Sequence, residues 1–84
     1  MTNHEPPTVA QVVDARGRMC PLPVIELAKA MVTTDIGACV AIMTEDAAAA
    51  SDIPAWCDLR GHEFVGAWPG DDATTYVVRK SHDD

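Results

Sequence analysis

Pro21 and Pro23, one residue apart in Cys20-Pro21-Leu22-Pro23, constrain the local fold more tightly than any other feature of the chain. A proline has no amide hydrogen, so two in close succession suit a helix only within its first turn, where backbone N–H groups have no intrahelical acceptor. The apolar spacing of Val24, Leu27, Ala28 and Met31 continues such a helix and lays one face on a partner layer, leaving Glu26, Lys29 and Thr33 outside. In this arrangement Cys20 falls at the N-cap, Pro21 at N1 and Pro23 at N3. The Leu22 N–H would then point back at the Cys20 sulfur or at a ligand bound there. A sulfur at a helix start is favoured as thiolate, and Arg16 and Arg18 would act in the same direction if their side chains fold back.

Cysteine is more often a small buried hydrophobe than a reactive group. A turn bracketed by Gly17 and two prolines is nevertheless a poor place for a core residue, so Cys20 is the candidate for chemistry. Asp14, which closes the preceding strand, reads as support that accepts backbone N–H bonds in the turn, not as an acid or base.

The rest of the chain supplies a frame. Val9–Asp14 reads as the first strand and 21–32 as the first helix. The almost wholly apolar run Ala38–Thr44 reads as an interior strand, with Val40 and Ile42 on one face and Cys39, Ala41 and Met43 on the other. Asp46–Arg60 reads as a second helix, capped by Asp46 and ended by Gly61, with Pro54 predicting a kink or break and Ala55, Trp56 and Leu59 facing the sheet. Two strands, His62–Trp68 and Thr74–Lys80, are joined through residues 69–73 as a hairpin. The order βαβαββ predicts an α+β two-layer sandwich: a four-stranded mixed sheet with both helices on one face and the other face partly open. Residues 1–8 read as a disordered leader, 9–80 as a single domain, and 81–84 as an acidic tail that frays.

Composition narrows the function. A chain of 84 residues is one small domain, burying roughly 60–65% of its unfolded surface, with little room for a deep substrate cavity. The net charge of −7 and pI near 4.6 argue against direct binding to nucleic acid or an anionic membrane, both of which need basic patches. No segment resembles a secretion signal or membrane span, which predicts a cytoplasmic protein. Cysteines at 20, 39 and 57 contain no C-x-x-C pair, matching neither a disulfide framework nor a zinc ribbon. No metal or cofactor is expected. Cys57 reads as a core residue and only secondarily as a second thiol, and His62, after a helix-ending glycine, as a cap or a solvated residue.

The stretch Asp14-Ala15-Arg16-Gly17-Arg18-Met19-Cys20-Pro21-Leu22-Pro23-Val24 resembles the signature of the TusA family of SirA-like sulfur carriers, a C-P-x-P motif opening the first helix. Asp52-Ile53-Pro54-Ala55-Trp56-Cys57 and Gly61-His62-Glu63-Phe64-Val65 resemble the family's second region. Two motifs at a matching distance are far more specific than C-P-x-P alone. The resemblance implies a fold similar to the C-terminal domain of bacterial translation initiation factor three. It also implies a sulfurtransferase-type carrier in which Cys20 accepts persulfide sulfur from a cysteine desulfurase or another donor protein. That sulfur would pass to an acceptor protein, for tRNA thiolation or another sulfur-transfer pathway. A monomer is the expected state. The chain departs from the pattern at Met19, where many members carry a basic residue, and in a first helix whose only cation is Lys29. Two other classes stay open: an adaptor binding a partner through the sheet face of Cys39, Ala41 and Met43, and a thiol redox protein using Cys20 with Cys57.

Overall fold

The computed structural model describes residues 8–83, so the leader expected over residues 1–8 lies, Thr8 apart, outside the described residues. Four strands and two helices follow in the order β1 (Gln11–Asp14), α1 (Leu22–Val32), β2 (Cys39–Thr44), α2 (Ala49–Arg60), β3 (Glu63–Pro69) and β4 (Thr74–Arg79). The sheet order is β1-β2-β4-β3. β1 runs parallel to β2, and β4 antiparallel to both β2 and β3. This is the expected four-stranded mixed sheet. Val65 is the extra residue of a register shift between Phe64 and Gly66, which bends β3 locally.

Both helices pack on one sheet face. Leu27 and Met31 of α1 and Ala49, Ile53 and Cys57 of α2 close over Val40 and Ile42 of β2 and Tyr76 and Val78 of β4. Leu27, Val40, Ile42, Ile53 and Val78 are completely buried, and each such side chain contributes about 1.5–3 kcal/mol over remaining exposed. The helix-free face carries a smaller cluster in which Val9, Val65 and Trp68 cover Cys39, Ala41 and Val77. The alternation read for β2 is therefore observed, but Cys39 and Ala41 do not form an uncovered docking surface.

The phase of α2 departs from expectation. Its buried stripe is Ala49, Ile53 and Cys57, spaced by four, while Leu59 is 82% exposed and Ala55 also faces solvent. Trp56 lies at the edge of the core. The helix begins at Ala49, not at Asp46, and runs without a break through Pro54. Gly61 ends it in the left-handed conformation, φ 78°, with its N–H donating to the Cys57 carbonyl, which also accepts the His62 N–H at 2.9 Å.

The far ends of the helices are tied down by polar groups. Lys80, 5% exposed, donates from Nζ to the Met31 and Thr34 carbonyls, both at 2.9 Å. Gln11 Nε2 donates to the Ala30 carbonyl at 3.0 Å and to Thr34 Oγ1 at 2.8 Å. His62 is buried between Trp56 and His82, with ring centroids 5.6 and 5.0 Å apart, and its Nδ1 accepts the Ser81 N–H at 3.1 Å. His62 is thus not solvated, and its backbone N–H caps the end of α2 at the Cys57 carbonyl. Of the acidic tail, Asp83 pairs with Lys80 at 2.7 Å and His82 Nε2 lies 2.9 Å from the Arg60 carbonyl, while Asp84 lies outside the described residues.

Candidate functional site

Topology brings three loops to one end of the sheet. Because β1 and β2 are parallel, the loops leading into α1 and α2 leave the sheet at the same end, and both helices start there. β3 runs in the same direction as β2, so the hairpin loop before β4 arrives at that end as well. Cys20, exposed, sits in the first of these loops.

The loop is built in layers. The Ala15 N–H donates to the Met43 carbonyl at 2.9 Å, extending β1 by one residue and burying Ala15 completely. The Arg18 N–H returns to the Ala15 carbonyl at 3.2 Å, closing a turn in which Gly17 adopts φ 81°. A side chain at that backbone angle would be strained, and glycine is not. Asp14 accepts the Arg16 N–H at 3.1 Å through Oδ1, the backbone-supporting geometry read from the sequence.

Helix α1 starts one residue later than predicted. Pro21 is the N-cap, Leu22 the first helical residue and Pro23 the second, and no side chain caps the helix. The Leu22 N–H is satisfied by the Met19 carbonyl at 2.8 Å, not by the Cys20 sulfur. Pro23 is buried and anchors the first turn. Cys20 therefore stands just before the cap, joined to Pro21 by a cis peptide bond.

Carboxylates, not cations, surround the sulfur. The Cys20 N–H donates to Asp46 Oδ2 at 2.6 Å, and the thiol donates from Sγ to Asp52 Oδ2 at 3.1 Å. Asp46 uses its other oxygen to accept the Ala48 N–H at 3.1 Å, so one side chain joins the entrance of α2 to the cysteine loop. Glu45 accepts the Gly17 N–H, with oxygens at 2.8 and 3.1 Å. The expected help from arginine is absent. Arg16 is held by Asp14 at 2.8 Å and by Asp72 of the hairpin loop at 3.2 Å, and Arg18 is exposed and makes no ion pair among the described residues.

The electrostatic consequence reverses the sequence expectation. The hydrogen bond to Asp52, then desolvation, then the charges of Asp52 and Asp46 push the Cys20 thiol above its ordinary range. A donated S–H bond favours the neutral thiol, and adjacent negative charge disfavours the thiolate. Conversely, the Arg16 guanidinium and N–H hold Asp14 down at about 2. The sequence marks Asp46 only as a helix cap and Asp52 as part of the second family-like region, and does not single out Glu45. The one signal available was their position around the start of α2, at the end of the sheet from which α1 also departs.

Cys57 is not part of this site. It is 2% exposed in the core, and burial pushes its thiol up to about 11. Cys20, Cys39 and Cys57 are all free thiols. His62 lies at the opposite end of α2 from Asp52, so the imidazole and the exposed thiol are not brought together.

A family model described as sulfurtransferase TusA matches residues 11–80. The chain belongs to the TusA family. A candidate sulfur carrier protein of Archaeoglobus fulgidus is 39% identical over 69 residues, covering 82% of this chain and 94% of that protein. The sulfur carrier protein TusA of Pseudomonas syringae pv. tomato is 32% identical over 76 residues, 90% of each chain. Among solved structures, a SirA-like protein from Desulfitobacterium hafniense superposes with a TM-score of 0.74 at 19% identity, covering 86% of this chain and 99% of that one. That likeness establishes the fold this chain shares with the SirA-like protein. Among the described residues no helix is long and apolar enough to cross a membrane.

Proposed function

We propose that this TusA-family chain is a sulfur carrier, with Cys20 as the residue that is loaded and unloaded. A donor such as a cysteine desulfurase presents a persulfide, Cys20 takes its outer sulfur, and an acceptor protein removes that sulfur for tRNA thiolation or another sulfur-transfer pathway. The observation that carries this reading is the exposed Cys20 thiol, presented outward on a loop whose backbone is fixed by Asp46, Glu45 and Asp14. A sulfur atom on another protein needs access, not a deep pocket, and a rigid loop keeps the nucleophile in a constant position for docking partners. Met19 at 76% exposed and Leu22 at 41% flank the thiol and supply apolar contact for such a partner.

The family relatives named as sulfur carriers support the same reading. The test is the intact mass of the reduced protein after incubation with a cysteine desulfurase and cysteine, and separately with thiosulfate or polysulfide. A reductant-sensitive gain of one sulfur atom is expected in the wild type and in Cys57→Ser, and not in Cys20→Ser. Sulfur gain in Cys20→Ser equal to that of the wild type contradicts the assignment.

A further inference from the structure

We propose that Asp52 is the proton acceptor and donor for Cys20 during sulfur transfer, an assignment that rests on the carrier reading above. Asp52 Oδ2 is in direct contact with Cys20 Sγ at 3.1 Å, across 32 positions of sequence. It is also the one acidic residue in the first turn of α2, where a negative side chain is favoured by the helix start.

The other charged groups facing the thiol are already engaged or lie elsewhere. Asp46 is committed through both oxygens to the N–H groups of Cys20 and Ala48, and Glu45 to that of Gly17. Arg16 is held between Asp14 and Asp72, and Arg18 is exposed on the loop itself. From α1, the first turn presents Leu22 and Pro23, which carry no charge. Asp52 alone among these side chains touches the sulfur.

The step balances without an added oxidant or reductant. Cys20 Sγ attacks the outer sulfur of a donor persulfide, R–S–SH, while its proton passes to the Asp52 carboxylate. The new S–S bond forms on Cys20, the donor S–S bond breaks, and its electron pair leaves on R–S⁻. Asp52 then gives the proton to that thiolate, leaving Cys20–S–SH and R–SH. Unloading to an acceptor thiol runs the same exchange in reverse, with Asp52 taking the acceptor's proton and returning it to Cys20. At rest the carboxylate holds the thiol protonated, which slows reaction with stray electrophiles. Loading remains fast because the base is already in contact.

Two readouts of Asp52→Asn move in opposite directions under this assignment. Removing the carboxylate lowers the thiol pKa, so alkylation of Cys20 by iodoacetamide at neutral pH becomes faster, and its pH profile shifts to lower pH. Each unit of such a fall yields a net gain of about threefold, because the tenfold rise in thiolate is partly offset by weaker nucleophilicity. Sulfur uptake from glutathione persulfide, followed by intact mass, should instead slow at least about tenfold. Asp52→Glu should restore much of it. Both rates rising in Asp52→Asn would make Asp52 a mere brake on the thiol, and both falling would make it structural; either result overturns the proposal. A wild type that takes up no sulfur from any donor overturns the carrier reading and this role with it. Wild-type uptake with Asp52→Asn unimpaired overturns the role of Asp52 alone.

Discussion

Replacing Lys80 with methionine should be one of the more damaging single changes outside the apolar core. The substitution keeps the aliphatic stem and removes the ammonium from a side chain that is 7% exposed. Nζ is the donor to two carbonyls at 2.9 Å. The Met31 carbonyl would keep a second donor, the Thr34 N–H at 3.2 Å, whereas the Thr34 carbonyl would be left without a donor among the described residues. An orphaned buried carbonyl costs about 1–3 kcal/mol, and loss of the charge-assisted bond to Met31 adds to that, offset by no longer burying an ammonium. The expected net loss is about 2 kcal/mol, equivalent to a fall of roughly 8–16 °C in melting temperature for a domain of this size. Thermal unfolding followed by circular dichroism measures it. Asp83→Asn is the internal control. It removes the ion pair from a partner side chain that is 72% exposed, so its melting temperature should stay close to the wild type. Equal melting temperatures for Lys80→Met and the wild type would refute the view that Lys80 fastens the end of α1 to β4. The fastening matters for the site because α1 carries the cysteine loop at its other end.

Iodoacetamide at mildly alkaline pH should modify Cys20 alone in the native protein, with Cys39 and Cys57 reacting only after unfolding; prompt labelling of Cys57 would contradict its core position. Because burial raises the Cys57 thiol from 9.0 to about 11, its contribution to stability is fully present below pH 9.0 and is lost as pH rises through about 11. Denaturant unfolding across that range should show a falling stability that is shallower in Cys57→Ala. Asp14 behaves oppositely: held at about 2 against an ordinary 3.8, its contribution is present above 3.8 and lost as pH falls through 2. Asp14→Asn should flatten the acid limb of the stability profile, and an unchanged limb would count against the Asp14–Arg16 pairing. Gly61→Ala should cost about 1–2 kcal/mol for the left-handed backbone, since φ is 78° and an added Cβ would lie 3.0 Å from His82 Nε2; an alanine variant melting with the wild type would refute this.

What could be read from the sequence follows from what is local. Periodicity located all six elements to within a few residues, and the alternation in β2 placed Val40 and Ile42 toward the helices. The two prolines correctly marked the start of α1, offset by one position. Tertiary packing decided the rest. Ile53, completely buried, sets the rotation of α2 and carries Leu59 into solvent, which propensity within the helix could not reveal. The electrostatics of Cys20 were misjudged for the same reason. The helix start and two neighbouring arginines are visible in the local sequence, but the partners that determine the thiol, Asp46 and Asp52, come from a different loop and helix. Arg16 is diverted by Asp72, 56 positions away. Lys80 gave no local sign that it would be buried against the end of α1.

The central claim is that Cys20 carries sulfur between two proteins, and a pulse-chase with radiolabelled sulfur tests it most directly. The protein would be loaded from labelled cysteine through a cysteine desulfurase, separated from the donor, digested, and mapped, with a second portion mixed with a reduced acceptor protein before analysis. The account predicts label on the peptide containing Cys20, released by reductant and depleted as the acceptor gains it. Label retained on Cys20 in the presence of every acceptor tried, or located on Cys39 or Cys57 instead, would contradict it.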